Sequence, residues 1–154
     1  MKKAFLSILC AVLILQMFCI SASAFDAPSN SVRICFSDGS YCVQTIVAET
    51  NDYCENLAVS STKTGIKSSR YYNANGVLQF TVSVRGTFSY TGTTATATAS
   101  QYTYTISDSS WSFVSGRSYC SGVTATASCT FRSSAAVQKA LSVSLTCSPT
   151  GVLS

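Results

Sequence analysis

The 154-residue chain has ten Lys and Arg against six Asp and Glu, a formal net charge of +4, eight cysteines and no histidine. The lack of histidine excludes the Ser-His-Asp and Cys-His arrangements of nucleophilic catalysis and argues against a zinc site. The weak positive charge argues against nucleic acid or an anionic membrane as the main partner.

Residues 1–24 have the pattern of a secretory signal peptide. Lys2 and Lys3 precede an apolar run over 4–20, and Ala22-Ser23-Ala24 supplies small residues for cleavage before Phe25. We therefore predict a secreted, extracellular protein. If the segment is not cleaved, its length is close to that of a membrane span, and the protein is displayed at the cell surface.

The mature chain, residues 25–154, is long enough for a single domain and keeps eight basic residues against six acids. An even number of cysteines in an exported domain predicts disulfide bonds. The sequence contains no C-x-x-C spacing of the kind that binds metal ions. We therefore predict no metal site and no cofactor. The six disulfide candidates are Cys35, Cys42, Cys54, Cys120, Cys129 and Cys147.

The first predicted hairpin turns at Asp38-Gly39, between strands over 32–37 and 40–48. A two-residue turn there places Cys35 opposite Cys42, which makes this the first predicted disulfide. The acidic segment that follows, over 49–56, has the oxygen ligands that calcium prefers but no EF-hand spacing. We interpret it as a solvated loop held by Cys54.

The clearest strand follows Asn75-Gly76, where apolar and polar residues alternate over 78–90. Gly86 in its middle predicts a bulge or bend. The next stretch, over 94–106, changes phase, which indicates either a bulge near Ser100-Gln101 or two strands that meet there.

The same alternation returns at Val123 to Phe131 and at Leu141 to Cys147. The chain thus predicts an all-β fold, a single two-sheet antiparallel sandwich of 7–9 strands with immunoglobulin-like architecture. It is not a true immunoglobulin domain, because Ser118 stands where that family has a tyrosine before the second cysteine. If the last two strands are neighbours, Cys147 lies near Ser121, which favours a Cys120–Cys147 bond and leaves Cys54 with Cys129.

Two tyrosine pairs are candidates for ligand binding. Tyr71 and Tyr72 are adjacent on a strand and point to opposite faces, so one of them is expected to be exposed. Tyr102 and Tyr104 share a face, which would form a stacking platform if exposed, although core packing is the favoured interpretation.

Several segments resemble an uncharacterised group of small exported bacterial all-β proteins. They are the run over 86–97, Ser109-Ser-Trp-Ser112, the Thr-Ala-Thr-Ala strand at 124–127, and the closing run over 142–148. The resemblance covers roughly the last 70 residues of the chain. It implies the fold and export, and it implies no functional residues.

Together these features favour a secreted non-catalytic module that binds a surface, a glycan or a protein partner. A third of the mature chain is Ser or Thr, at strand positions expected to face water. The alternative is a structural protein that self-associates through the low-charge strand edge at 93–100. A secreted toxin or enzyme is disfavoured because the six carboxylates form no recognisable catalytic pair.

Overall fold

A computed structural model describes residues 31–49 and 60–154, and this part of the chain contains eight strands and no helix. The predicted signal peptide, Cys54 and the acidic residues Asp52 and Glu55 lie outside the described residues. The strands are β1 (Ser31–Cys35), β2 (Tyr41–Glu49), β3 (Ser61–Tyr72), β4 (Leu78–Tyr90), β5 (Ala95–Ile106), β6 (Trp111–Ser121), β7 (Thr124–Ser133) and β8 (Gln138–Thr146).

The strands form two antiparallel sheets, which confirms the predicted sandwich. One sheet has the order β1-β2-β3-β4-β5 and the other β6-β7-β8. Every hydrogen-bonded pair is consecutive in sequence, so the connectivity is a meander, whereas true immunoglobulin domains have Greek-key connections. Only the sandwich architecture is shared with that family.

The alternating pattern of β4 decides which face of the larger sheet is buried. Phe80, Val82, Val84 and Phe88 are fully buried on the inner face, toward the second sheet. The residues between them point to the outer face. Gly86 lies where the sheets approach closely, since a Cβ there would be 2.8 Å from the Ala125 Cβ.

The phase change predicted in the fifth strand is a bulge within one strand. Thr87 pairs with Ala99 and Phe88 pairs with Ala97, so Thr98 is the extra residue. Because one residue is unpaired, the alternation resumes in the opposite parity. The bulge lies two residues before the predicted Ser100-Gln101 position.

The smaller sheet covers three strands of the larger one. Phe131 of β7 stacks on Phe80 of β4 with ring centroids 4.1 Å apart. Leu145 of β8 lies over Gly65 of β3, and β6 lies over β5. These contacts place the core between β3–β5 and β6–β8.

The sandwich is closed on one side and open on the other. On the closed side the Ala97 amide donates to the Gly122 carbonyl and the Ser118 hydroxyl donates to the Ser100 carbonyl. On the open side β1 extends beyond the smaller sheet, and its inner-face residues Val32 and Ile34 are 60% and 42% exposed. Among the described residues, β1 is therefore the uncovered edge of the larger sheet.

The predicted register of the first hairpin is wrong. The Phe36 amide donates to the Ser40 carbonyl and the Gly39 amide donates to the Phe36 carbonyl, which defines a three-residue loop over 37–39 with Gly39 at φ +80°. Cys35 consequently pairs with Tyr41, and Cys42 pairs with Ile34. The one-residue shift leaves Cys35 exposed on the outer face and Cys42 buried on the inner face.

The geometry predicted for Cys120 and Cys147 is also wrong. The Cys147 amide donates to the Val123 carbonyl and not to a residue near Ser121. Cys147 follows the end of β8, and β7 separates β8 from β6, which contains Cys120. Two strand spacings amount to about 9.6 Å, more than the roughly 7 Å that a disulfide can span between Cα atoms. The five described cysteines are free thiols in this structure, and disulfide formation stays a prediction.

Candidate functional site

The first tyrosine pair divides between the two faces of β3. Tyr71 is 5% exposed and stacks on Phe80, with ring centroids 4.9 Å apart, so it belongs to the core. Tyr72 is half-buried on the outer face, where it stacks against Tyr41 of β2 at 4.9 Å and an interplanar angle of 10°.

The second tyrosine pair packs at the margin of the core. Tyr102 and Tyr104 lie on the inner side of β5, and the Tyr104 ring stacks on Phe113 of β6 at 4.2 Å. Tyr104 remains 41% exposed. Because one face of the Tyr104 ring covers Phe113, the two tyrosines join the sheets and do not form a free platform.

The outer face of the larger sheet brings together residues that the sequence interpretation did not combine. The Cζ of Arg33 on β1 lies 3.7 Å from the centroid of the Tyr41 ring, and Tyr72 of β3 stacks on the same ring. Arg70 of β3 is exposed on the same face. We call these four residues, Arg33, Tyr41, Arg70 and Tyr72, the arginine–tyrosine surface.

The pairing of the strands aligns the two arginines across the sheet. Arg33 pairs with Val43, and Val43 pairs with Arg70, so both guanidinium groups belong to one transverse row. The described chain contains three acids, and none of them forms an ion pair with Arg33 or Arg70. The surface therefore carries two uncompensated positive charges within the described part of the chain.

A row of hydroxyl side chains lies beside the arginines. It crosses all five strands of the sheet, with each member paired to the next. The hydroxyls of Ser68 and Ser83 in this row are 2.8 Å apart. The members of this hydroxyl row are Ser31, Thr45, Ser68, Ser83 and Thr103.

The described carboxylates are engaged elsewhere. Glu49 accepts two hydrogen bonds from Arg85, at 3.0 and 2.7 Å, and these bonds lower the pKa of the glutamate. Asp38 bonds to Ser40 and lies 3.5 Å from Lys139, and the bonds to Ser40 are the main reason that its pKa is lowered. The Ser110 amide donates to Asp108 in the turn before β6, which lowers the pKa of Asp108.

The inner face contains titratable groups that burial makes harder to ionise. Burial lowers the pKa of Lys67, and it raises the pKa of the Cys42, Cys129 and Cys147 thiols. Within residues 31–49 and 60–154, no three Cys, Asp or Glu side chains gather in a way that could hold a metal ion. No helix in those ranges is long and apolar enough to cross a membrane.

A shallow hollow lies on the outer face of the smaller sheet. Its volume is about 300 Å³, and it lies beside the β6 bulge between Phe113 and Ser115. Arg117 is its one charged lining residue, and three hydroxyls and a glycine complete it. The hollow has one positive charge and no aromatic residue in its lining, so it offers fewer ligand contacts than the arginine–tyrosine surface.

Arg33 and Tyr41 were not among the predicted site residues, because the predicted register of the first hairpin is wrong. With a two-residue turn, Tyr41 falls opposite Phe36, and Arg33 falls opposite Gln44. The signal that would have found them is Gly39, since a type I turn followed by a left-handed glycine gives the three-residue loop.

Comparisons with protein-family models, with curated proteins and with solved structures found no match to this chain.

Proposed function

We propose that the chain is an exported, non-catalytic module that binds a glycan through the arginine–tyrosine surface. The single observation that carries the proposal is the ordered stack of Arg33, Tyr41 and Tyr72 beside Arg70 on the outer face of the sheet. Aromatic and guanidinium groups held by stacking lose little conformational freedom when a ligand binds.

The hydroxyl row supports a carbohydrate ligand. Hydroxyl side chains both donate and accept hydrogen bonds, as sugar hydroxyls do. Thr103, at the β5 end of the row, is exposed, and so are Arg33 and Arg70 beside the part of the row on β1 to β3. A sugar chain lying across the sheet would meet both groups. Non-catalytic binding is favoured because the described carboxylates are committed to local bonds and no two of them flank a cleft.

A glycan array probed with the exported chain tests this proposal. We expect binding that falls at least tenfold in Tyr72→Ala. Tyr119→Ala is the matched control, because Tyr119 is 48% exposed on the other sheet. Equal binding by both variants would rule out the assigned surface, and the absence of binding to any glycan would rule out the function.

A second candidate function is self-association through a strand edge. The edge predicted at 93–100 is partly occupied, since the Ala97 amide bonds to Gly122. The exposed Val32 and Ile34 favour the β1 edge instead. Sedimentation of the wild type and of Ile34→Lys tests this: a dimer that the lysine abolishes would support it, and a monomer at high concentration would exclude it.

A further inference from the structure

We infer that the ligand of the arginine–tyrosine surface is an acidic polysaccharide, held through its carboxylate or sulfate groups by Arg33 and Arg70. This inference rests on the proposed function, because it specifies the ligand class of the same surface. Three features of the outer face carry it: the way Tyr41 is stacked, the placement of the two arginines, and the adjacent hydroxyl row.

The stacking of Tyr41 leaves its ring faces unavailable to a sugar. Arg33 belongs to β1 and Tyr72 to β3, and these strands lie on either side of β2. The guanidinium group, 3.7 Å from the ring centroid, and the Tyr72 ring, 4.9 Å away, therefore cover opposite faces of Tyr41. Tyr41 is half-buried and Arg33 is exposed, so the part of Tyr41 left to a ligand is its ring edge, beside the N–H groups of Arg33.

The open edge favours an anion. A guanidinium group stacked flat on an aromatic ring keeps its N–H groups in its own plane, free to donate in pairs to a carboxylate or a sulfate. The phenol hydroxyl of Tyr41 adds a further donor at the same end of the sheet. A neutral sugar that depended on ring stacking would find no free face on Tyr41.

The second arginine extends the site to more than one anionic group. Arg33 and Arg70 flank Val43 in one row, about 9.6 Å apart at the level of the backbone. Val43 carries no charge that could neutralise either of them. Arg85 shows the contrast, because Glu49 already pairs with it through two hydrogen bonds. Two separate cations that have no ion-pair partner among residues 31–49 and 60–154 suit a polymer that repeats its negative charge.

The hydroxyl row distinguishes a polysaccharide from other polyanions. Ser31, Thr45 and Ser68 pair in sequence directly beside the arginine row, and the row continues through Ser83 to Thr103. A polysaccharide carries hydroxyls along its whole length that can bond to such a row. An anionic membrane would use the arginines but not the hydroxyls.

Binding measurements on immobilised polysaccharides test this inference. The probes are polygalacturonate for carboxylates, dextran sulfate for sulfates and dextran as the neutral control, with phosphatidylglycerol vesicles for an anionic membrane. The variants are the double substitution Arg33→Gln and Arg70→Gln, the single substitution Arg33→Lys, and Arg132→Gln. Arg132 is the matched control because it is exposed on the other sheet. Trp111 fluorescence checks that every variant is folded.

We expect the exported chain to bind one or both acidic polymers and not dextran, with affinity that weakens as salt increases. The double substitution should weaken binding by tenfold or more and Arg132→Gln by less than twofold. Arg33→Lys should fall between them, because lysine keeps the charge but loses the planar pair of donors. The preferred polymer identifies the carboxylate or the sulfate.

Other outcomes overturn the inference in separable ways. Binding to neutral glycans that Tyr72→Ala weakens and the double substitution does not would overturn the acidic ligand while the proposed function stands. A loss in Arg132→Gln as large, per charge removed, as the loss in the double substitution would show attraction to net charge alone. Binding to the vesicles but to neither acidic polymer would replace the polysaccharide with a membrane. Binding to no carbohydrate would overturn both proposals.

Discussion

Replacing Phe80 with alanine should remove the contact on which the packing of the two sheets depends. Phe80 is fully buried, stacks on Phe131 at 4.1 Å and on Tyr71 at 4.9 Å, and meets the edge of Trp111 at 5.1 Å. A buried phenylalanine removes roughly 200 Å² of apolar surface from water, worth about 5 kcal/mol at ~25 cal/mol per Å² as an upper estimate. We expect Phe80→Ala to lower the free energy of unfolding by about 4 kcal/mol, within the usual range for this substitution.

Urea unfolding followed by fluorescence measures this loss, because Trp111 is the single tryptophan of the chain and contacts Phe80. A loss of about 4 kcal/mol should lower the urea midpoint by about 2 M at a typical slope of ~2 kcal/mol per M. Tyr119→Ala, on an exposed outer face, is the control and should cost less than about 1 kcal/mol. Equal costs for the two variants would refute the packing of β4 against β7.

Three further predictions concern close packing, charge and thiol access. Gly86→Ala should lower the free energy of unfolding by about 1–3 kcal/mol in urea titrations, because the new Cβ would lie 2.8 Å from the Ala125 Cβ. A more stable variant, as strand propensity alone predicts, would contradict that contact. Pairing with Arg85 lowers the pKa of Glu49. The pair therefore stabilises the folded state at pH values above the ordinary glutamate pKa, and this stabilisation is lost as the pH falls through the lowered pKa of the folded state. Urea midpoints measured between about pH 6 and about pH 3 should therefore fall less in Glu49→Gln than in the wild type, and identical pH profiles would exclude the pair. In the reduced protein, iodoacetamide should label Cys35 and Cys120 before Cys42, Cys129 and Cys147, because burial shields these three thiols and raises their pKa. Uniform labelling in peptide mass spectrometry would contradict the burial of the three thiols.

Strand alternation was enough to predict the fold class and the buried face of β4. The period of two has one dominant cause, the burial of every second side chain, and that cause acts within a single strand. The phase change in β5 was visible for the same reason. Its position was two residues off, because a bulge is located by pairing to the neighbouring strand, as Thr87 and Phe88 pair here.

Features that depend on the relation between strands could not be predicted as well. The register predicted for Cys35 and Cys42 was wrong because Asp38-Gly39 is compatible with a loop of two residues and with a loop of three. A change of one residue in loop length moves every side chain of one strand to the other face relative to its partner. The predicted pairing of Cys120 with Cys147 was wrong because it requires neighbouring strands. Alternation within single strands does not show that β7 lies between β6 and β8.

The candidate site was predicted in part. Tyr72 is an outer-face residue, as the opposite orientations of Tyr71 and Tyr72 required. Its partners Tyr41 and Arg33 belong to other strands, and only the register brings them together. A binding site on a sheet combines residues from several strands, so its composition depends on how the strands pair. Sequence patterns predict this pairing less well than they predict the strands themselves.

The most direct measurement of the central claim is an NMR titration of the isotope-labelled chain with a short oligogalacturonate and, separately, with a short sulfated dextran. We predict that the amide resonances of Arg33, Tyr41, Arg70 and Tyr72 and the guanidinium resonances of the two arginines change together and saturate. The resonances of Arg117, in the hollow of the other sheet, should stay unchanged. Changes confined to the Arg117 hollow, or no saturable change on the outer face of the larger sheet with either oligomer, would contradict this claim.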